Sequence, residues 1–435
     1  MTRPFATALA IFLSTALPGI AGAAEPRLLA LSKSESLLLV VDPQSLKVLA
    51  RVPTGDNPHE VCASNDGKLA IVSNYGAQTP GSTLSVIDIA AGTELRRVDL
   101  SPLKRPHGLW ESGGKVYFTA EVNCAVARYD IASDKIDWIC GTGQAGTHML
   151  AMDESAGRLY ATNIGSDSVS VIDLPGGAAS AGPTTIAVKS QPEGLALSPD
   201  AKELWVAPRV GGGGIAIIDT STDSITQTVP CKGMPIRMHF TPDGKRVLVT
   251  DPANHELAIY DAAARREEKR IPLGQVPIGI VVTPDSQRAF VSASGANKVY
   301  LIDLSKLEVT GEFDAGQTPD GMIWADAKPA PPPMKKPAVF GVAVAPLTDE
   351  IRQKLPGNVS GGLVIQKMGP NSPAAEAGLA EGDIILTVNG TAVTDPQQFV
   401  KFIKRARAGD VMNVEILHDG EKTAKQVTLK PPPGQ

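Results

Sequence analysis

Between residues 27 and 325, short apolar runs alternate with polar turn signals, and the alternation is itself periodic. An apolar run ending in Asp recurs at Asp42, Asp88, Asp130, Asp173, Asp219, Asp261 and Asp303, with steps of 42 to 46 residues. A second landmark, usually Pro-x-x before an apolar run, begins at Pro58, Pro106, Thr147, Pro192, Pro235, Pro277 and Pro319. Turn signals lie between the two, such as Asn65-Asp66-Gly67-Lys68, Pro199-Asp200 and Pro242-Asp243-Gly244-Lys245. Each leads into a β-rich run such as Leu69–Val72 or Val247–Thr250.

One unit therefore reads as four strands. Strand a follows the Pro, b follows the Asp-Gly turn, c ends at the repeated Asp, and d is a run like Lys47–Val52. Four strands per repeat of this length is the pattern of a propeller blade. Apolar runs without strict alternation suit sheets covered on both faces by their neighbours. The region opens on strands b, c and d (Leu28–Ser32, Leu37–Asp42, Lys47–Val52) and closes on a lone strand a (Met322–Ala325). Three strands from one end and one from the other complete a seventh blade and remove a sheet edge. The expectation is an all-β seven-bladed propeller with 3+1 strand closure over residues 24–326. Runs such as Leu248-Val249-Thr250-Asp251 and Ala161-Thr162-Asn163 resemble the repeats of the YVTN family of β-propellers. That resemblance implies the fold and leaves the activity open, since propellers host many.

Aligning the units exposes one column. The residue after each Pro (or Thr147) is His59, His107, His148, Glu193, Ile236, Ile278 and Asp320. In a closed ring Asp320 neighbours His59, so Asp320, His59, His107, His148 and Glu193 form one arc at a mouth of the central channel. Strand b ends at the same mouth, which adds Glu121, Asn163, Arg209 and Asp251. Three of the six His share this column. Imidazole with carboxylate is a ligand set for a divalent transition metal, so His59, His107, His148, Glu193 and Asp320 are candidate metal ligands. The same residues could act as acid and base groups on a substrate, or line a wet, polar funnel.

The formal charge of −5 excludes a strongly basic nucleic-acid binder as the default reading. Arg3, the apolar run Phe5–Leu17 and Ala21-Gly22-Ala23 have the form of an export signal cleaved after Ala23. That run is too short to span a bilayer, and no other stretch approaches spanning length. The expected location is periplasmic or secreted, with no membrane span in the mature chain. In an oxidising compartment, Cys124 and Cys140, equidistant from a hairpin centre near Ala132, are candidates for a disulfide. There is no CxxCH haem motif.

Residues 327–338 form a Pro-rich spacer, expected to be extended and solvated. Beyond it, residues 339–430 read as a compact α+β unit, followed by a tail at 431–435. Ser372-Pro373 and Asp395-Pro396 have the form of helix starts, and Asn389-Gly390 and Asp419-Gly420 that of tight hairpin turns. The run Gly369–Leu379, with Gly382-Asp383-Ile384-Ile385 and Val388-Asn389-Gly390, resembles bacterial PDZ domains of the HtrA type. The resemblance implies a carboxylate-binding loop at Val339, Phe340, Gly341 and Val342, with a peptide added as a strand beside Val342–Ala345, including Val344. Phe399 and Ile403 would line its side-chain pocket. Gly357-Asn358-Val359-Ser360-Gly361-Gly362 looks like a protease nucleophile loop, but it lies inside this unit without a protease domain to supply His and Asp. The chain is not expected to be a protease.

The function these features favour is an exported, non-catalytic binding or scaffold protein. Its propeller would serve as a docking platform and its PDZ-like unit would bind C-terminal peptides of envelope proteins. The alternative is a metal-assisted lyase or lactone hydrolase acting at the funnel.

Overall fold

The structure, a computed structural model, describes residues 25–174, 182–210, 213–354, 359 and 361–432. The expected export signal at 1–23 and residues 357, 358 and 360 of the Gly-rich loop lie outside these residues. Among the described residues no helix is long and apolar enough to cross a membrane.

Residues 27–325 form a β-propeller of four-stranded antiparallel sheets, seven among the described residues, numbered here in chain order. Sheet 1 joins Arg27–Ser32, Leu37–Val41 and Val48–Pro53 to the distant strand Pro319–Ala325. Leu28 faces Trp324, Leu29 faces Ile323 and Ala30 faces Met322. The innermost strands of sheets 2 to 7 are Pro58–Ala63, Pro106–Ser112, Thr147–Asp153, Pro192–Leu197, Met238–Phe240 and Pro277–Val282. Each innermost strand touches the next, and that of sheet 1 touches those of both sheet 7 and sheet 2. The cores lie between sheets; Ile71, Leu84 and Val86 of sheet 2, for example, pack with Val116, Phe118 and Tyr129 of sheet 3.

The repeated Asp ends strand c because its carboxylate accepts amides of the following turn. Asp42 accepts from Gln44 and Ser45, Asp130 from Ala132 and Ser133, Asp219 from Ser221 and Thr222, and Asp303 from Ser305 and Lys306. These are Asx turns, which satisfy backbone donors that the hairpin would leave unpaired.

The inner strands carry a second regularity. Sheet 2 pairs Pro58 with Asn74 and then Val61 with Val72, so His59 and Glu60 together oppose Ser73. The same irregularity recurs at Pro106/Leu109, Thr147/Leu150, Pro192/Leu195 and Pro277/Ile280. It is a β-bulge, which re-aims side chains at the end of a strand. A hydroxyl on strand b fills several of these bulges and reaches on to the next sheet. Thr119 accepts the Gly108 amide and donates to the His148 carbonyl. Thr162 accepts from Met149 and donates to Glu193, and Ser292 accepts from Gly279 and donates to Asp320. Backbones come so close here that a Cβ at Gly279 would lie 2.3 Å from the Asp320 carbonyl oxygen, and one at Gly321 2.3 Å from that of His59.

The expected Cys124–Cys140 disulfide is not formed, and all four cysteines are free. A bulge at Arg128/Tyr129 shifts the hairpin register. Cys140 therefore faces Val126, while the Cys124 carbonyl takes the Thr142 amide.

The C-terminal unit is a six-stranded sheet with helices Asp349–Lys354, Pro373–Glu376 and Pro396–Arg405. Ser372 and Asp395 cap the latter two, their side chains accepting the Ala375 and Gln397 amides. Phe340, Leu363, Ile365, Phe399, Phe402 and Ile416 fill its core.

Candidate functional site

The column residues meet at one end of the central channel. The His59 ring lies 4.2 Å from that of Tyr75 and 5.1 Å from that of His107, centroid to centroid. The His107 ring in turn lies 3.8 Å from that of His148, tilted by 34°. His59 Nδ1 donates to the Asn57 carbonyl at 3.1 Å, which leaves Nε2 with its lone pair. The two nitrogens of His148 each lie 3.7 Å from a carboxylate, Nδ1 from Glu121 and Nε2 from Glu193. Asp320 pairs with Lys33 at 2.9 Å.

Five residues of this site were not read from the sequence: Lys33, Glu60, Tyr75, Arg105 and Arg237. Arg237 stands beside the column residue Ile236 and is 8% exposed. Its guanidinium donates to Glu60 at 2.7 Å and to Glu193 at 3.3 Å. Glu60 belongs to sheet 2 and Arg237 enters sheet 6, so the ion pair crosses the channel and bars it. Tyr75 donates to Glu121 at 2.6 Å, and Arg105 lies over the Tyr75 ring at 4.5 Å. Arg209 reaches Glu193 at 3.3 Å. Asn163 and Asp251 serve their own sheets instead. Asn163 bonds Thr147, Ser168 and Ser170, and Asp251 takes Met234, Asn254 and Arg270.

The arc is a charge-paired network. Among the described residues, no three His, Cys, Asp or Glu side chains are placed to hold a metal ion. His107 Nδ1, His148 Nδ1, Glu193 Oε2 and Asp320 Oδ1 have no hydrogen-bond partner within the protein. A polar lining of this kind can hold water or a small polar ligand.

Burial sets most of the proton affinities. It pulls His59 down to about 4 against the opposing pull of Asp320. It holds His107 well below the ordinary imidazole value, helped by His148 and His59. Burial also disfavours the His148 cation, but Glu121 and Glu193 outweigh it and raise that pKa. Below about pH 6.5 the unfolded chain protonates His59 and His107 while the folded chain resists. Stability should therefore fall as pH drops from about 6.5 to 4, by about 3 kcal/mol for His59 alone. The His148 contribution has the opposite sign: it is present below about 6.5 and is lost as pH rises through its folded value. Urea unfolding across this range should show a shallower acid slope in His59→Gln than in the parent. Identical slopes would contradict the assignment.

The second site lies on the C-terminal unit. Val342–Pro346 is an edge strand, paired among the described residues only with Leu363–Met368. It packs beside helix Pro396–Arg405. The preceding loop is pinned from behind: the Val339 amide donates to Lys430, while the Phe340 and Gly341 carbonyls accept from Ala374 and Gly369. Gly341 has φ +84°, and a Cβ there would lie 2.3 Å from Ser372 Cβ, so only glycine fits. Phe399 is buried edge-to-face against Phe340, and Val342, Val344 and Ile403 are partly buried around this core.

Comparison with known proteins agrees with both halves. Residues 112–288 match the family model of the YNCE-like beta-propeller, and residues 338–429 match that of the PDZ domain. The chain thus carries a β-propeller followed by a C-terminal PDZ domain. It is 29% identical over 96 residues to a probable periplasmic serine endoprotease DegP-like of Marinomonas sp. (strain MWYL1), covering 22% of this chain and 20% of that protein. This likeness falls in the PDZ region. It is 24% identical over 199 residues to antigen Lp49 of Leptospira interrogans, covering 41% of this chain and 42% of that one. The chain thus spans less than half the length of these relatives. A structure of a putative 6-phosphogluconolactonase from Bacteroides fragilis superposes with a TM-score of 0.59 at 15% identity. It covers 71% of this chain and all of that one, and at this identity the likeness concerns the fold alone.

Proposed function

We propose that this protein is an exported, non-catalytic scaffold whose PDZ domain captures the C-terminal ends of envelope proteins. Its propeller, read as seven blades closed by three strands from one end and one from the other, is the rigid platform. The observation that carries the reading is the unpaired edge of Val342–Pro346 beside helix Pro396–Arg405, next to a loop whose carbonyls are already taken from within. A peptide can add to that edge as a further strand, with its terminal carboxylate against the amides of residues 340–342. The partly buried Val342, Val344 and Ile403 favour an apolar final side chain. Export accords with the form of residues 1–23 and with the periplasmic relative.

The test is a fluorescence titration of the full chain with a labelled peptide ending in a free apolar residue. Its C-terminal amide should bind at least about tenfold more weakly, because charge-assisted hydrogen bonds to the carboxylate are lost. Equal affinity for acid and amide would overturn carboxylate capture.

A further inference from the structure

The PDZ domain does not hang from a free tether. The spacer runs across turns joining strands a and b, at the end of the propeller opposite the His-lined mouth. The Lys328 amide donates to Asn65 at 2.7 Å and the Lys335 amide to Ser155 at 2.8 Å. Ala408 of the PDZ domain then donates to Lys336 at 2.9 Å, and Lys335 Nζ pairs with Asp410 at 2.9 Å.

Two arginines at the end of helix Pro396–Arg405 complete the contact. Arg407 is 2% exposed. Its Nε and Nη2 donate to the Ala156 carbonyl of sheet 4 at 3.0 and 2.9 Å, and Nη2 lies 3.3 Å from Asp173. Its Nη1 donates back to the carbonyls of Lys404, Arg405 and Ala406, so the same guanidinium holds the helix end and the propeller. Arg405 donates to the Thr222 carbonyl and pairs with Asp223 in sheet 5. Asp173 also takes Arg158, at 2.9 Å. Asp173 ends strand c of its own sheet, and Asp223 closes the c–d turn of the next with φ +50°. Asp173 belongs to the repeated Asp column and Asp223 to a turn within a repeat, and both are used here to hold another domain.

We propose that Arg405 and Arg407 clamp the PDZ domain to sheets 4 and 5, with residues 327–337 as a strap. The chain then has one docked form that presents the groove at a fixed angle, and a released form reached only by breaking the clamp. Buried ion pairs fix geometry through the cost of leaving a partner unpaired, and that cost is what holds the docked form. The proposal stands on these contacts and does not depend on peptide capture.

Limited trypsinolysis of the full chain reads it out at Lys335–Lys336, the spacer bond that trypsin can cut without a following Pro. In the parent this bond should be slow, because its backbone is held to Ser155. Asp223→Asn, which keeps a residue tolerant of positive φ, and Arg405→Ala should each raise the cleavage rate by at least about tenfold, as local release exposes the strap. X-ray scattering should show a larger radius of gyration in both. The two variants lie on different domains, so a folding defect in one leaves the other as the test. Equal cleavage rates in the parent and both folded variants, whether all fast or all slow, would overturn the clamp.

Discussion

Replacing Arg237 with Ala should cost the propeller about 3–5 kcal/mol, the largest single loss expected in this chain. The guanidinium is buried across the channel between Glu60 and Glu193. Its removal leaves Glu60 without its cation and Glu193 with only Arg209 and His148, in a site nearly closed to water. Burial already raises the pKa of Glu60 despite Arg237, and without the arginine that carboxyl should take up a proton at higher pH still. Denaturant unfolding of Arg237→Ala should therefore show a much lower midpoint at pH 7. Part of the loss should return on mild acidification, as Glu60 is neutralised. A variant as stable as the parent at pH 7 would show that the bar across the channel is not formed.

Gly279→Ala should be nearly as damaging, at about 3 kcal/mol, from a single methyl group. The added Cβ would lie 2.3 Å from the Asp320 main-chain oxygen and 2.9 Å from the Ser292 hydroxyl that bridges the two sheets. Neither the carbonyl nor the strand carrying it can rotate away, so sheets 7 and 1 would be forced apart. Gly141→Ala is the matched control. A Cβ there meets nothing within 4 Å, and its effect should stay within about 0.5 kcal/mol. Equal thermal midpoints for the two variants would contradict the close approach of the inner strands.

Much of this molecule is written in its sequence as spacing. The Asp column at steps of 42–46 residues marks the strand c ends because the carboxylates of Asp42, Asp88, Asp130, Asp219, Asp261 and Asp303 close local turns, and local chemistry leaves a local trace. The His column was legible because a Pro, or Thr147 before His148, marks the start of most inner strands. Glu60 and Arg237 escaped because strand alternation assigns neighbouring residues to opposite faces. The bulge breaks that rule, and it sets His59 and Glu60 together against Ser73. The hydroxyls of Ser73, Thr119, Thr162, Thr250 and Ser292 were the available signal, a polar column near the end of otherwise apolar strands. Ser73 bonds within its own sheet, whereas the role of Thr119, Thr162, Thr250 and Ser292 as bridges between sheets needs coordinates, since donor and acceptor lie about 30 residues apart. The Cys124–Cys140 pairing failed because the turn is centred between Ala132 and Ser133 rather than on Ala132, and the bulge shifts the register by one residue more. In the PDZ domain, caps and turns were readable residue by residue. The clamp was not, because Arg405 and Arg407 look like ordinary basic residues at a helix C-terminus until their carbonyl and carboxylate partners are seen.

The radial arrangement that brings distant repeats to one mouth is tested most directly by a double-mutant cycle on Glu60 and Arg237, which are 177 positions apart in sequence. Unfolding free energies of Glu60→Gln, Arg237→Gln and the double variant should reveal a coupling of at least about 1 kcal/mol, because Arg237→Gln leaves Glu60 buried without its counter-ion and Glu60→Gln leaves Arg237 with Glu193 alone. Additivity within about 0.5 kcal/mol would mean that the two side chains never meet, and the ring of sheets as described here would be wrong.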